Sequence, residues 1–184
     1  VEKGAVFAIE TDNSYPNYKL QEDGEVEMYQ YTPNHWKTMN FADEYNSLVA
    51  IAGPLTTNGW DPATVRINAV TSNSCDIQID EWDYLDGYRL SEQEKMGLMV
   101  MEAGQYNIGG LKVEAGVIEN VNHNFQTHAF TQDFTEPPIV LTRVITSNDP
   151  AAVVTRQRNT STTSFELKLQ EEQAADGIHG NEQV

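Results

Sequence analysis

One cysteine, Cys75, occurs in 184 residues, so no intramolecular disulfide can staple the fold. Its place in the alternating run Cys75-Asp76-Ile77-Gln78-Ile79-Asp80 reads as that of a small core residue. Basic residues are also scarce: 11 Lys and Arg stand against 28 Asp and Glu, a formal net charge of −17. A phosphate-binding surface is built from Lys and Arg, so nucleic acid and anionic membranes are not expected as partners. No apolar run approaches the roughly 18 residues of a membrane helix, and no secretory leader is visible, so an exported chain would be in its mature form. The histidines, His35, His123, His128 and His179, have no zinc spacing to cysteine or to one another. No serine or cysteine sits in a nucleophile elbow and no Gly-rich phosphate loop occurs. No enzymatic activity is expected.

The chain does contain itself twice. Shifted by about ninety residues, its second half falls on its first, as in tandem-repeat proteins. Arg66 meets Arg156, Ser74 meets Ser164, Ile77 and Ile79 meet Leu167 and Leu169, and Glu81 meets Glu171. Val49, Ile51, Leu55, Thr56 and Asn58 meet Ile139, Leu141, Ile145, Thr146 and Asn148. Glu92-Gln93 pairs with Glu182-Gln183, and Glu2-Lys3 with Glu94-Lys95.

Period-two alternation in Cys75 to Asp80 and Phe165 to Gln170 predicts half-buried strands. The denser runs Leu48 to Leu55 and Ile139 to Ile145 predict central strands. Thr64 to Val70 and Val153 to Arg158, Glu25 to Tyr31 and Lys112 to Ile118, and Ala5 to Glu10 and Gly97 to Glu102 complete the pairs, with turn residues such as Asn58-Gly59, Asp61-Pro62 and Asp86-Gly87 between them. The expected fold class is all-β: two tandem six-stranded antiparallel β-sandwich units, the second completed by the N-terminal strand.

Glu81 and Glu171 share the inward parity of the core residues, where a carboxylate must be hydrogen-bonded, paired or metal-bound. Capping of the next loop's amides is one reading; a cation site of Glu171, Glu172 and Asp176 is another, and Ca²⁺ is the ion such oxygen ligands take. Arg66 and Arg156 offer either a salt bridge or a planar donor fork for sugar hydroxyls. Trp60, in a turn, and Trp82, on the outward parity, are sugar-stacking candidates. The acidity itself is read first as solubility.

The runs from Trp36 through Phe41 and Tyr45 to Val65-Arg66-Ile67 and Glu81-Trp82, and from Phe125 through Pro137-Pro138-Ile139 and Arg156 to Phe165-Glu166-Leu167, resemble the H-type lectin domain. The resemblance covers the chain nearly end to end. It implies six-stranded sandwiches, often trimeric, that bind N-acetylgalactosamine-type sugars at clefts between subunits. It also implies sugar contacts from Asp149, Arg156 and His179. The first unit keeps Arg66 and Asp61 but carries Arg89 where His179 falls.

On this frame residues 1–35 carry strands matching the end of a preceding repeat, 36–124 form unit 1, and 125–184 form unit 2, which lacks its own last strand. Ala5, Val6, Phe7, Ala8 and Ile9 fit the open groove. Filling it from the next chain is donor-strand complementation and propagates head-to-tail. Closure within one chain, or a longer array of which this chain is a part, are the alternatives. The expected function is that of a non-catalytic extracellular or cell-surface structural protein that assembles with copies of itself into a filament, sheath or surface layer. The alternative is a carbohydrate-binding lectin or module with glycan partners.

Overall fold

The computed structural model describes residues 18–26, 36–41, 43–82, 94–172 and 177–184. The expected assembly residues Ala5 to Ile9 and the candidate ligand Asp176 lie outside them, as does Arg89. The regular elements are β1 Tyr18–Val26, β2 Lys37–Asn40, β3 Leu48–Leu55, β4 Ala63–Asn68, β5 Ser74–Glu81, β6 Glu94–Glu102, β7 Gly104–Ile108, β8 Leu111–Ala115, β9 Gln126–Ala129, β10 Val153–Arg158 and β11 Ser164–Glu171. All pairings are antiparallel, and no helix occurs among the described residues, so the fold is all-β.

Strand β6 lies between β1 and β3, and β5 lies between β2 and β4. The two sheets enclose one core. Leu48, Ala50, Ala52, Met96, Leu98 and Val100 come from the first sheet, and Val65, Ile67, Cys75, Ile77 and Ile79 from the second. Cys75 is fully buried, which pushes its thiol pKa up to about 12 and leaves it an inert packing residue. A second core gathers Val121, Val144, Val153, Phe165, Leu167, Leu169 and Val184, with Phe130 stacked on Phe165. The β7–β8 hairpin turns at Gly109 and Gly110, whose φ values of 58° and 87° suit a two-residue hairpin loop.

The sheet β9–β11–β10 repeats β2–β5–β4 in order and in register. Strands 63–68 and 74–81 recur as 153–158 and 164–171, a shift of 90 at both. Val65↔Ile79 and Ile67↔Ile77 recur as Thr155↔Leu169 and Gln157↔Leu167. The short edge strands correspond as well, Lys37↔Ile77 becoming Gln126↔Leu167. Each register keeps the same alternate residues on the core face, as a period-two pattern requires.

The expected strand Ile139 to Ile145 is a correction. Its counterpart β3 is paired by β6, from Leu48↔Glu102 to Leu55↔Met96. Residues 139–145 have no such ladder among the described residues. Their inward residues Val140 and Val144 still pack on the second core, while Ile139 is 90% and Leu141 52% exposed. Side chains of β10 hold the segment instead: Gln157 Nε2 donates to the Val140 carbonyl (2.9 Å) and Thr155 Oγ1 to that of Thr142 (3.2 Å). A strand is defined by its neighbour, and among the described residues the segment meets one only at its end, where the Ile145 amide donates to the Gln183 carbonyl (2.9 Å). One further expectation is trimmed: β8 ends at Ala115 rather than at Ile118. β1 runs from Tyr18 to Val26, and of the expected strand Glu25 to Tyr31 only residues 25–26 lie within the described residues.

Candidate functional site: a buried ionic cluster between the two sheets' halves

Arg66 alternates with the core residues Val65 and Ile67, so its side chain leaves β4 on the outer face. It is nevertheless only 1% exposed. The loop 146–151 and Glu182 from the second half of the chain cover it. Nε donates to the Thr146 carbonyl (3.5 Å), Nη1 to Asp80 (3.2 Å) and the Ala151 carbonyl (2.7 Å), and Nη2 to the Asp149 carbonyl (2.6 Å) and Glu182 (3.4 Å). That accounts for all five N–H groups of a guanidinium. Nearby, Arg143 Nη1 reaches Thr64 Oγ1 (2.9 Å), so a second arginine ties the same faces together.

Glu182 is the hub. It accepts from Thr146 Oγ1, from the amide of Asn148 (2.9 and 3.0 Å) and from the amide of Asp149 (2.9 Å). Burial favours its neutral form, but the His179 ring beside it and the hydrogen bonds from Thr146, Asn148 and Asp149 outweigh burial and hold its pKa down to about 2. His179 is fully enclosed. Its Nδ1 lies 2.9 Å from Glu171 and 4.0 Å from Asp149, and its Nε2 is 3.4 Å from Glu182, an ion-pair contact without hydrogen-bond alignment. Burial works against its charged form; Glu182, Glu171 and Asp149 favour that form, Arg66 opposes it, and the net shift is upward.

Glu171, the inward carboxylate that the sequence marks as anomalous, caps the next loop by accepting from the Gly177 amide (2.9 Å). Asp149 braces its own loop through the amides of Ala151 (3.1 Å) and Gly180 (3.2 Å). The ligand-type atoms of Asp149, Glu171 and His179 lie within 4.8 Å of one another. The 2.9 Å His179–Glu171 contact is a hydrogen-bond distance, with Nδ1–H donating to the carboxylate. Of the residues proposed for a Ca²⁺ site, Glu171 is thus engaged with His179 and Gly177, and Glu172 is buried.

Among the residues that the lectin resemblance implies, Asp149 and His179 come together and Arg156 does not join them. Arg156 pairs with Lys168 across the ladder, on the outer face of β10–β11, and is exposed. The arginine beside Asp149 is Arg66, whose donors are all taken. Trp60 is 99% exposed, whereas Trp82 is half-buried, its amide donating to the Pro62 carbonyl (2.9 Å).

Sequence reasoning missed Glu182. The uniform ninety-residue frame pairs it with Glu92, yet its structural counterpart is Glu94. Glu94 accepts from Thr56 Oγ1, the Asn58 amide (2.7 Å) and the Gly59 amide (2.8 Å), the same three loop positions that Glu182 caps. Burial raises its pKa, but these bonds, to Thr56, Gly59 and Asn58, more than compensate and hold it below the ordinary value. The available signal was Thr-x-Asn at 56–58 and 146–148, each followed two strands later by a glutamate, Glu94 or Glu182.

An alignment 159 positions long that covers 80% of the chain is 31% identical to part of halomucin from Haloquadratum walsbyi. The chain spans 2% of the length of halomucin. No family model matches the chain, and no solved structure matches it.

Proposed function

We propose that this chain is a non-catalytic structural or adhesive protein of the cell exterior, built of two β-sandwich units, that joins copies of itself by strand complementation. The open edge at residues 139–144 carries the reading. It keeps the alternation of β3, with Val140 and Val144 inward, but has no ladder among the described residues and leaves Ile139 exposed. An edge of this kind is a template for another strand. Val6-Phe7-Ala8-Ile9-Glu10 matches Leu98-Met99-Val100-Met101-Glu102 of β6, the strand that pairs β3 in the first half. Similarity to part of halomucin supports an extracellular or cell-surface location.

The polar cluster supports a non-catalytic role, because its charged groups are buried and bonded to one another. The carbohydrate-binding reading rests on Trp60 alone, an exposed indole of the kind that stacks on sugar rings; Arg66 has no donor left to offer a hydroxyl.

Backbone amide exchange at residues 139–144 tests strand complementation. In a concentrated solution of the full chain these amides should be protected, and deletion of residues 1–10 should remove the protection. Equal exchange in both chains contradicts the reading.

A further inference from the structure

Acidic residues outnumber basic ones by 28 to 11, yet one arginine at the seam between the two halves has no carboxylate beside it among the described residues. Arg66 is held by Asp80 and Glu182, and Arg158 by Glu166. Arg143 is not held in this way. Its Nη1 donates to Thr64 Oγ1 (2.9 Å) and, at the limit of a hydrogen bond, to the Val65 carbonyl (3.5 Å). Its Nε is buried without a partner, and Nη2 has no acceptor among the described residues. A guanidinium carries five N–H groups and stays charged in proteins, so the three on Nε and Nη2 are left without an acceptor. Burial pushes its pKa down, with no carboxylate to offset it.

The same side chain lines a cavity of about 270 Å³. Pro54 and Leu55 of β3, Ala63 of β4 and Val154 of β10 give the cavity apolar walls. The hydroxyls at its rim are engaged with one another: Thr142 Oγ1 donates to Thr155 Oγ1 (2.8 Å), which donates to the Thr142 carbonyl (3.2 Å). We infer that this cavity binds a small organic monocarboxylate, its charged group paired with Arg143 and its carbon skeleton laid along the apolar walls.

Shape, charge and size each select that ligand. Nε and Nη2 form one edge of a planar fork, which matches the two oxygens of a carboxylate. One cation is neutralised by one negative charge. A dianion such as sulfate would leave a net charge in a poorly solvated site, on a chain already at −17. The cavity is also too large for a single ion, since one water occupies only about 30 Å³ of liquid. Apolar walls around one well-placed polar group are the usual make-up of a small-molecule site.

The sandwich itself does not demand this arginine. In the ninety-residue frame its counterpart is Gly53. Gly53 has a φ of 97°, and a Cβ there would stand 2.8 Å from Arg143 Nη2. The first half thus has no cation at this position, and its glycine leaves room for the one in the second half. The site uses a side chain of the 139–144 segment and not its main-chain edge, so it is independent of strand complementation.

Saturation-transfer NMR on sodium butyrate in the presence of the full chain tests the proposal, because it reads the small ligand whatever the size of the protein assembly. Transfer should saturate with a dissociation constant on the order of 1–10 mM, as expected of so small a ligand. Arg143→Gln, with folding verified by circular dichroism, should weaken binding about tenfold or more, as loss of the charged partner of a carboxylate does. Arg156→Gln, at an exposed site elsewhere, should leave it unchanged. Equal loss in both variants would show diffuse attraction to basic groups and overturn the proposal. Should Arg143→Gln fail to fold, the parent decides alone. No saturable transfer, or displacement by an equal concentration of chloride or sulfate, overturns it. Transfer that disappears as the protein is concentrated would also overturn it, by showing that a carboxylate of a second copy fills the cavity.

Discussion

Arg66 and Arg156 occupy one position of a repeated hairpin, so replacing each by alanine makes a matched pair. Arg66→Ala removes five N–H donors from a site that excludes water. It leaves Glu182 and Asp80 with one fewer counter-charge, and three loop carbonyls without this donor. Removing one partner from a buried ionic network costs about 3–5 kcal/mol, because the remaining charge stays desolvated. For a chain of this length each kcal/mol lowers the melting temperature by about 2–4 °C, so a drop of roughly 6–20 °C is expected. Arg156→Ala alters an exposed side chain, and its cost in dilute solution should fall within about 0.5 kcal/mol of zero. Urea titration followed by circular dichroism measures both. Arg66→Met retains an apolar stem of similar reach and should lose nearly as much as alanine if charge compensation, rather than packing, is the cause. A loss below about 1 kcal/mol for Arg66→Ala, or equal losses at the two positions, would refute the argument that the outer face of β4 is a buried ionic joint.

Leu167→Ala, at a fully buried position of the second core, should cost about 2–5 kcal/mol, measurable in the same titration. Stability should peak in a weakly acidic window set by the two titrating groups of the cluster. The raised pKa of His179 makes its contribution complete below its ordinary value of 6.5 and lost as pH rises through the folded value. The lowered pKa of Glu182 makes its contribution complete above 4.5 and lost as pH falls toward about 2. Melting temperature against pH should therefore be highest between about 4.5 and 6.5, and His179→Gln should flatten the alkaline limb. Glu94→Ala uncaps the 56–59 loop by removing hydrogen bonds to a charged acceptor; because water can replace part of them at these partly exposed donors, it should cost about 1–2 kcal/mol.

The all-β class and the central hairpins were legible in the sequence because a half-buried strand writes its pairing into a period of two. Strands β4, β5, β10 and β11 fall within a few residues of their expected limits, and Ile77, Ile79, Leu167 and Leu169 are buried as that period requires. The short edge strands β2 and β9 carry Lys37-Thr38-Met39-Asn40 and Gln126-Thr127-His128-Ala129, too polar and too brief to declare themselves. Residues 139–145 show the opposite failure. Their apolar pattern is that of a strand, but pattern specifies which face is inward and says nothing about whether a neighbour is hydrogen-bonded. At the candidate site, Arg66 was marked by its recurrence as Arg156, yet nothing local distinguishes a buried arginine from an exposed one. The difference lies in the loop some eighty residues later that covers one and not the other. Glu182 was hidden by a two-residue slip in the repeat frame, which only the shared capping of Thr-x-Asn loops corrects.

The central claim is that copies of the chain join through the edge at residues 139–144, which has no strand ladder among the described residues. Electron microscopy of the concentrated full chain in about 1 M salt, where charge repulsion is screened to about 3 Å, tests this most directly. The account predicts unbranched threads that shorten or vanish when residues 1–10 are deleted. Isolated particles at every concentration, or threads indifferent to that deletion, would contradict it.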